Sequence, residues 1–138
     1  DQKARALMEV VTDEDFPWMA QYLVVQRCAL EPNFHALYLQ FMDHLNLKEF
    51  NRATLKETLM NVRILLHNRK ITDTSSSSER TLLRNLGAWL GRQTLAKNKP
   101  ILHNDLALKL LIRGAYGEGT KNLLYIIPFV RRVLEATR

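Results

Sequence analysis

Leu82–Asp105 reads LLRNLGAWLGRQTLAKNKPILHND, and its pattern decides the fold. Leu83, Leu86, Leu90 and Thr94 recur at helical spacing, so the first part is an amphipathic helix, expected over about 79–95. Gly87 and Gly91 lie one turn apart in it, with Ala88 beside them. A mid-helix glycine costs about 0.5–1 kcal/mol relative to alanine. Two of them imply close backbone approach by a neighbouring helix or a partner. Arg84 and Arg92 flank the notch and exclude a membrane-dimer reading. Lys97–Pro100 (KNKP) then turns the chain, and Asn104 or Asp105 can cap the next helix. The stretch reads as one corner of a stacked-helix scaffold.

Helical spacing continues on both sides. Phe34, Leu37, Tyr38, Phe41, Met42 and Leu45 form a broad stripe behind Pro32, which suits a first helical turn. A helix is expected over about 48–67 with Phe50, Leu55, Leu59, Val62, Leu65 and Leu66 inward. Trp18, Met19, Tyr22, Leu23 and Val25 predict another over about 14–29, preceded by a short one over about 2–11. The acids Asp13, Glu14 and Asp15 suit a helix N-terminus. Downstream, Leu106, Leu110 and Leu111 fall on one side of a helix, and Leu108, Ile112 and Tyr116 on another. Apolar rows on two sides imply burial between layers. Gly117 is expected to stop that helix. A last helix starts near Thr120, and Pro128 is expected to kink or divide it.

Residues about 68–78 form the one evident loop, Ser-rich over Thr72–Ser78, with Ser76 and Glu79 at capping-box spacing. No segment alternates with period two ahead of a hairpin turn. Seven helices with short connections fit HEAT-like hairpins, and periodicity alone leaves a plain helical bundle open.

Length suits a single unit over residues 1–138, and 46% apolar with 25% charged residues is ordinary globular composition. The longest apolar run, Leu123–Val130, falls far short of the roughly 20 residues of a membrane helix, so no membrane role is expected. The chain begins at Asp1 and its last residues still read as helix, which suggests a piece of a longer protein. The one cysteine, Cys28, excludes an internal disulfide and reads as a small buried hydrophobe in a reducing compartment. Net charge is +6 but uneven: −1 over residues 1–69 and +7 over 70–138. The second half should attract something acidic, either RNA phosphate or a protein surface.

Catalytic patterns find no support. The chain has no GxxxxGK[ST] loop and no GxSxG elbow, and His35, His44, His67 and His103 form no HExxH pair. One cysteine cannot build a thiolate zinc site. No enzyme activity, cofactor or metal is expected.

Four segments carry a family resemblance: RCALEPNFHALYLQF (Arg27–Phe41), NLG-x-WLG (Asn85–Gly91), LAKNKPILH (Leu95–His103) and LLYIIPFV (Leu123–Val130). They resemble the central domain of Not-one, the scaffold subunit of the Ccr–Not messenger-RNA deadenylase complex. That domain belongs to the class named after the middle domain of translation initiation factor 4G. The resemblance implies an all-α, HEAT-like helical-repeat solenoid of about seven antiparallel helices, here a truncated portion of a larger repeat domain. It implies a non-catalytic scaffold that docks a Caf/Pop-type deadenylase and a DEAD-box RNA helicase of the decapping-activator type. Other Ccr–Not subunits would bind through the rest of the longer chain. The setting it implies is cytoplasmic, including mRNA-decay bodies, with a nuclear location left open.

Among matched or adjacent polar positions, Asn33, His35, Arg84, Arg92, Lys97 and Lys99 are the candidate partner-binding residues. Lys109 and Arg113 join them on electrostatic grounds. His35 reads as a helix-surface or half-buried residue. Arg80 and Arg84, Lys97 and Lys99, Lys109 and Arg113, and Arg131–Arg132 would form one patch if stacking aligned their helices. Lys97 has a structural alternative, bonding the carbonyls that end the preceding helix. Two other functions stay open: a related middle-domain protein of translation or RNA surveillance that binds a DEAD-box helicase, and a direct RNA-binding helical module. Direct RNA contact is the weaker, because few aromatics interleave with the cations; Tyr116 and Tyr125 are the nearest.

Overall fold

The glycine notch read from the sequence is where the fold closes. The computed structural model describes residues 2–68 and 76–137. Its helices are α1 (Gln2–Met8), α2 (Phe16–Gln21), α3 (His35–Leu45), α4 (Lys48–His67), α5 (Ser77–Gln93), α6 (Leu108–Glu118) and α7 (Thr120–Glu135). Short 3-10 turns at Asp13–Asp15, Pro32–Phe34 and Leu95–Lys97 join them, and α2 runs on into a π-helical segment, Tyr22–Cys28. No strand occurs among the described residues, and the architecture is all-α and repeat-like.

α7 packs along α5 more extensively than any other pair of elements. A Cβ on Gly87 would stand 2.8 Å from Phe129 Cδ2, and one on Gly91 only 2.2 Å from the Val133 carbonyl oxygen. The two glycines therefore admit the backbone of α7, at the propensity cost expected of them. Leu83, Leu86 and Leu90 pack with Val62, Ile126, Phe129 and Val133 in a cluster built by α4, α5 and α7. Trp89 enters a second cluster with Phe16, Cys28, Met42, Leu45 and Phe50. α5 thus serves both clusters, and full burial of such side chains stabilises by roughly 1.5–3 kcal/mol each.

A polar seam runs through the interior. Thr58 shares its hydroxyl proton between the Thr54 carbonyl at 2.8 Å and Gln93 Oε1 at 2.9 Å. Asn85 Nδ2 donates to the Ala29 carbonyl at 2.8 Å, tying α5 to the end of the π-helical segment.

Several expectations need correction. α6 starts at Leu108, so Asn104 and Asp105 do not cap it. Gly117 stays helical; Gly119, at φ 113°, ends α6 and turns directly into α7. That backbone angle favours glycine, which explains why the second glycine and not the first is the stop. Pro128 does not divide α7, which runs as one helix from Thr120 to Glu135. In the second apolar row of α6, Leu108 and Ile112 pack partly buried against the core while Tyr116 is exposed, and in the first row Leu110 is exposed. The first helix ends at Met8. Most of the Ser-rich loop lies outside the described residues. Ser76 is the N-cap of α5 but makes no side-chain capping hydrogen bond. The acids Asp13–Asp15 do open a helical turn, where the Thr12 backbone N–H donates to Asp15 at 2.9 Å. That bond holds the Asp15 carboxyl below its ordinary value.

Candidate functional site

The chain turns sharply after α5, and backbone bonds fix the turn. The N–H groups of Lys97 and Lys99 both donate to the Thr94 carbonyl at 2.9 Å, and Asn98 adopts the left-handed conformation at φ 56°. This geometry throws the side chains of Lys97 and Lys99 toward the start of α4. There they line a cleft of about 400 Å³ with Lys48, Arg52, Asn51 and Gln93, over apolar Leu39, Met42 and Leu55. Lys97 Nζ pairs with Asp43 of α3. The side chain therefore bridges two helices and does not bond the carbonyls ending α5.

The remaining candidates are scattered. Asn33 is exposed in the Pro32–Phe34 turn. Arg84 is exposed and donates to Thr81 Oγ1 at 2.9 Å. It lines a groove of about 290 Å³ with Arg80, Leu124, Tyr125 and Pro128. Arg92 is half-buried. Lys109 and Arg113 stand exposed one turn apart on α6 and line neither the cleft nor the groove. Arg131 and Arg132 are held by Glu135, at 2.7 and 3.5 Å. The cations expected to form one patch do not share a single cleft. Lys97 and Lys99 line one cleft and Arg80 and Arg84 another, and Lys109 and Arg113 line neither.

His35 is corrected outright: it is 1% exposed and cannot touch a partner. Its Nε2 bonds the Cys28 carbonyl at 2.7 Å, and its ring lies 5.3 Å from that of Trp89. Burial lowers its basicity, and the charge of Arg92 adds to the effect. The residue is a core strut. Cys28 is fully buried as expected, and burial drives its thiol far up, out of nucleophilic range. Tyr125 is core, while Tyr116 is exposed.

Sequence reading missed Lys48 and Arg52, the opposite wall of the cleft. It also missed an ordered surface ladder. Trp18 stacks on Tyr22 at 6.1 Å, Arg27 lies over the Tyr22 ring at 5.6 Å and bonds Glu31 at 3.0 Å, and Tyr38 donates to Glu31. That bond from Tyr38 holds Glu31 below the usual carboxylate range. Burial, then the bond to Glu31, pushes the Tyr38 phenol up to about 12. The π-helical segment presents Tyr22 and Arg27 to this ladder, and no residue-type pattern announces a π segment in advance. Among the described residues no group of three metal-ligating side chains occurs, and no helix is long and apolar enough to cross a membrane.

These surfaces offer charged and aromatic contacts on a rigid frame. The model of the CCR4-NOT transcription complex subunit 1 CAF1-binding domain matches residues 1–138. CCR4-NOT transcription complex subunit let-711 of Caenorhabditis elegans is 43% identical over 139 residues, covering 98% of this chain and 5% of that protein. General negative regulator of transcription subunit 1 is 33% identical over 135 residues in both Schizosaccharomyces pombe and Saccharomyces cerevisiae, covering 98% of this chain and 6% of each. The chain thus spans 5–6% of the length of these relatives.

Proposed function

The chain belongs to the CAF1-binding domain family of CCR4-NOT transcription complex subunit 1, and on that premise we propose that it docks the Caf/Pop-type deadenylase. The observation that carries this reading is the match of the family model along the whole chain, residues 1–138. The fold is compatible with it: the close α5–α7 contact fixes the backbones of the helices that carry the surface side chains, so backbone ordering adds little to the cost of binding. In this reading the chain catalyses nothing. It holds the deadenylase in the complex, in mRNA decay and translational repression, in the cytoplasm.

A DEAD-box RNA helicase of the decapping-activator type is the second partner we propose, on the family resemblance of Arg27–Phe41, Asn85–Gly91, Leu95–His103 and Leu123–Val130. A surface that prefers one arrangement of the helicase lobes shifts the enzyme toward it by the difference in affinity. The contact residues we propose are Asn33, Arg84, Arg92, Lys97, Lys99, Lys109 and Arg113. Pull-down with purified deadenylase tests the first partner, and helicase ATP turnover with and without the chain tests the second. Retention of the helicase without the deadenylase would favour a middle-domain protein of translation or RNA surveillance. Binding of RNA alone, with a steep salt slope, would favour an RNA-binding module.

A further inference from the structure

Four cations from two distant parts of the sequence rim one cleft: Lys48 and Arg52 from the start of α4, Lys97 and Lys99 from the corner after α5. Its floor is apolar, made by Leu39, Met42 and Leu55. Two acids stand nearby, Asp43 on Lys97 and Glu49 on Arg52 at 2.9 Å. Among the described residues Lys48 and Lys99 have no ion-pair partner, so positive charge is in excess at the mouth. No aromatic side chain lines the cleft, so a nucleic acid base finds nothing there to stack on.

We infer that this cleft receives an acidic peptide segment of a partner protein. One apolar side chain of the segment rests on the Leu39–Met42–Leu55 floor, and its carboxylates face Lys48, Lys97 and Lys99. The inference deepens the docking reading and rests on it for the class of partner. Asp43 is a built-in competitor: it occupies Lys97 in the free chain, and an incoming carboxylate takes its place. Removing Asp43 therefore strengthens binding, an outcome that general loss of structure cannot imitate.

The test is an NMR titration of the nitrogen-15-labelled chain with a synthetic peptide of Asp and Glu around a central Leu. Its Asn/Gln counterpart and oligoadenylate are the comparisons. The acidic peptide alone should shift the amide signals of Lys48, Arg52, Lys97 and Lys99, less so at high salt. Asp43→Asn should tighten binding about two- to fivefold, and Lys48→Ala or Lys99→Ala should weaken it by about as much, with the rest of the spectrum unchanged. Equal binding of the neutral peptide, an Asp43→Asn affinity unchanged, or oligoadenylate displacing the peptide from these residues would overturn the inference. A deadenylase pull-down on the same variants separates the two readings. If the peptide fails and the deadenylase is still retained, the cleft inference falls and docking stands. If the deadenylase is not retained by the unaltered chain, the docking reading itself falls.

Discussion

His35 shows how one side chain can join elements and still bear on chemistry. Its Nε2–H is committed to the Cys28 carbonyl, and its Nδ1 is buried with no hydrogen-bond partner. Protonation would place a charged N–H there without an acceptor, next to the charge of Arg92. The folded ring is thus less basic than the unfolded one. The unfolded chain takes up the extra proton, so stability is complete above the ordinary histidine value of 6.5 and falls as pH drops below it. Urea midpoints at pH 7.5 and 5.5 should differ in that direction. His35→Gln, which keeps a donor for Cys28 and gains no proton, should flatten the difference. Lys97 makes the contrasting case: partly exposed and paired with Asp43, it contributes little to stability. A Lys97→Ala/Lys99→Ala chain should keep its melting temperature within a few degrees and lose affinity for a partner. Calorimetric titration against deadenylase and helicase checks this, and unchanged affinity for both would remove the corner from the docking surface.

Among the elements, the α5–α7 contact carries the sharpest stability prediction. Gly91→Ala would drive a Cβ into the Val133 carbonyl, which is backbone and cannot swing aside. The expected loss is about 1–3 kcal/mol, against a helix-propensity gain of up to about 1. Gly114→Ala in α6 meets nothing within 4 Å and should stabilise by about 0.5–1 kcal/mol. Thermal melts of the two variants should move in opposite directions. Helices of this kind are legible in sequence because apolar residues at a period of 3.6 announce the buried face. The notch at Gly87 and Gly91 was legible too, since mid-helix glycine needs a reason. Other features were not. Thr54 and Thr58 look like surface positions until their hydroxyls are seen bonding carbonyls one turn back. The end of α6 was misplaced because two glycines lie close together and only their backbone angles separate them. The wall of the cleft was missed because Lys48 and Lys99 are neighbours only through tertiary packing.

Taken whole, the molecule is a frame whose interior is committed to packing and whose outer faces differ. The cleft at the Lys97–Lys99 corner is basic, and the Trp18–Tyr38 ladder is aromatic and balanced in charge. The charge asymmetry of the sequence pointed to a positive surface but not to the cleft at the Lys97–Lys99 corner, half of whose cations come from α4 in the first, net-negative half of the chain. A frame of this type can bind without changing shape. Affinity for a partner should therefore depend on surface substitutions such as Asp43→Asn and be indifferent to Gly114→Ala, which changes stability alone. The proposed docking of the deadenylase requires this chain by itself to hold that enzyme. Isothermal titration of the purified chain with the purified Caf/Pop-type deadenylase tests it most directly. Saturable one-to-one binding is expected, whereas no heat and no complex at concentrations where both proteins remain folded would contradict the docking reading.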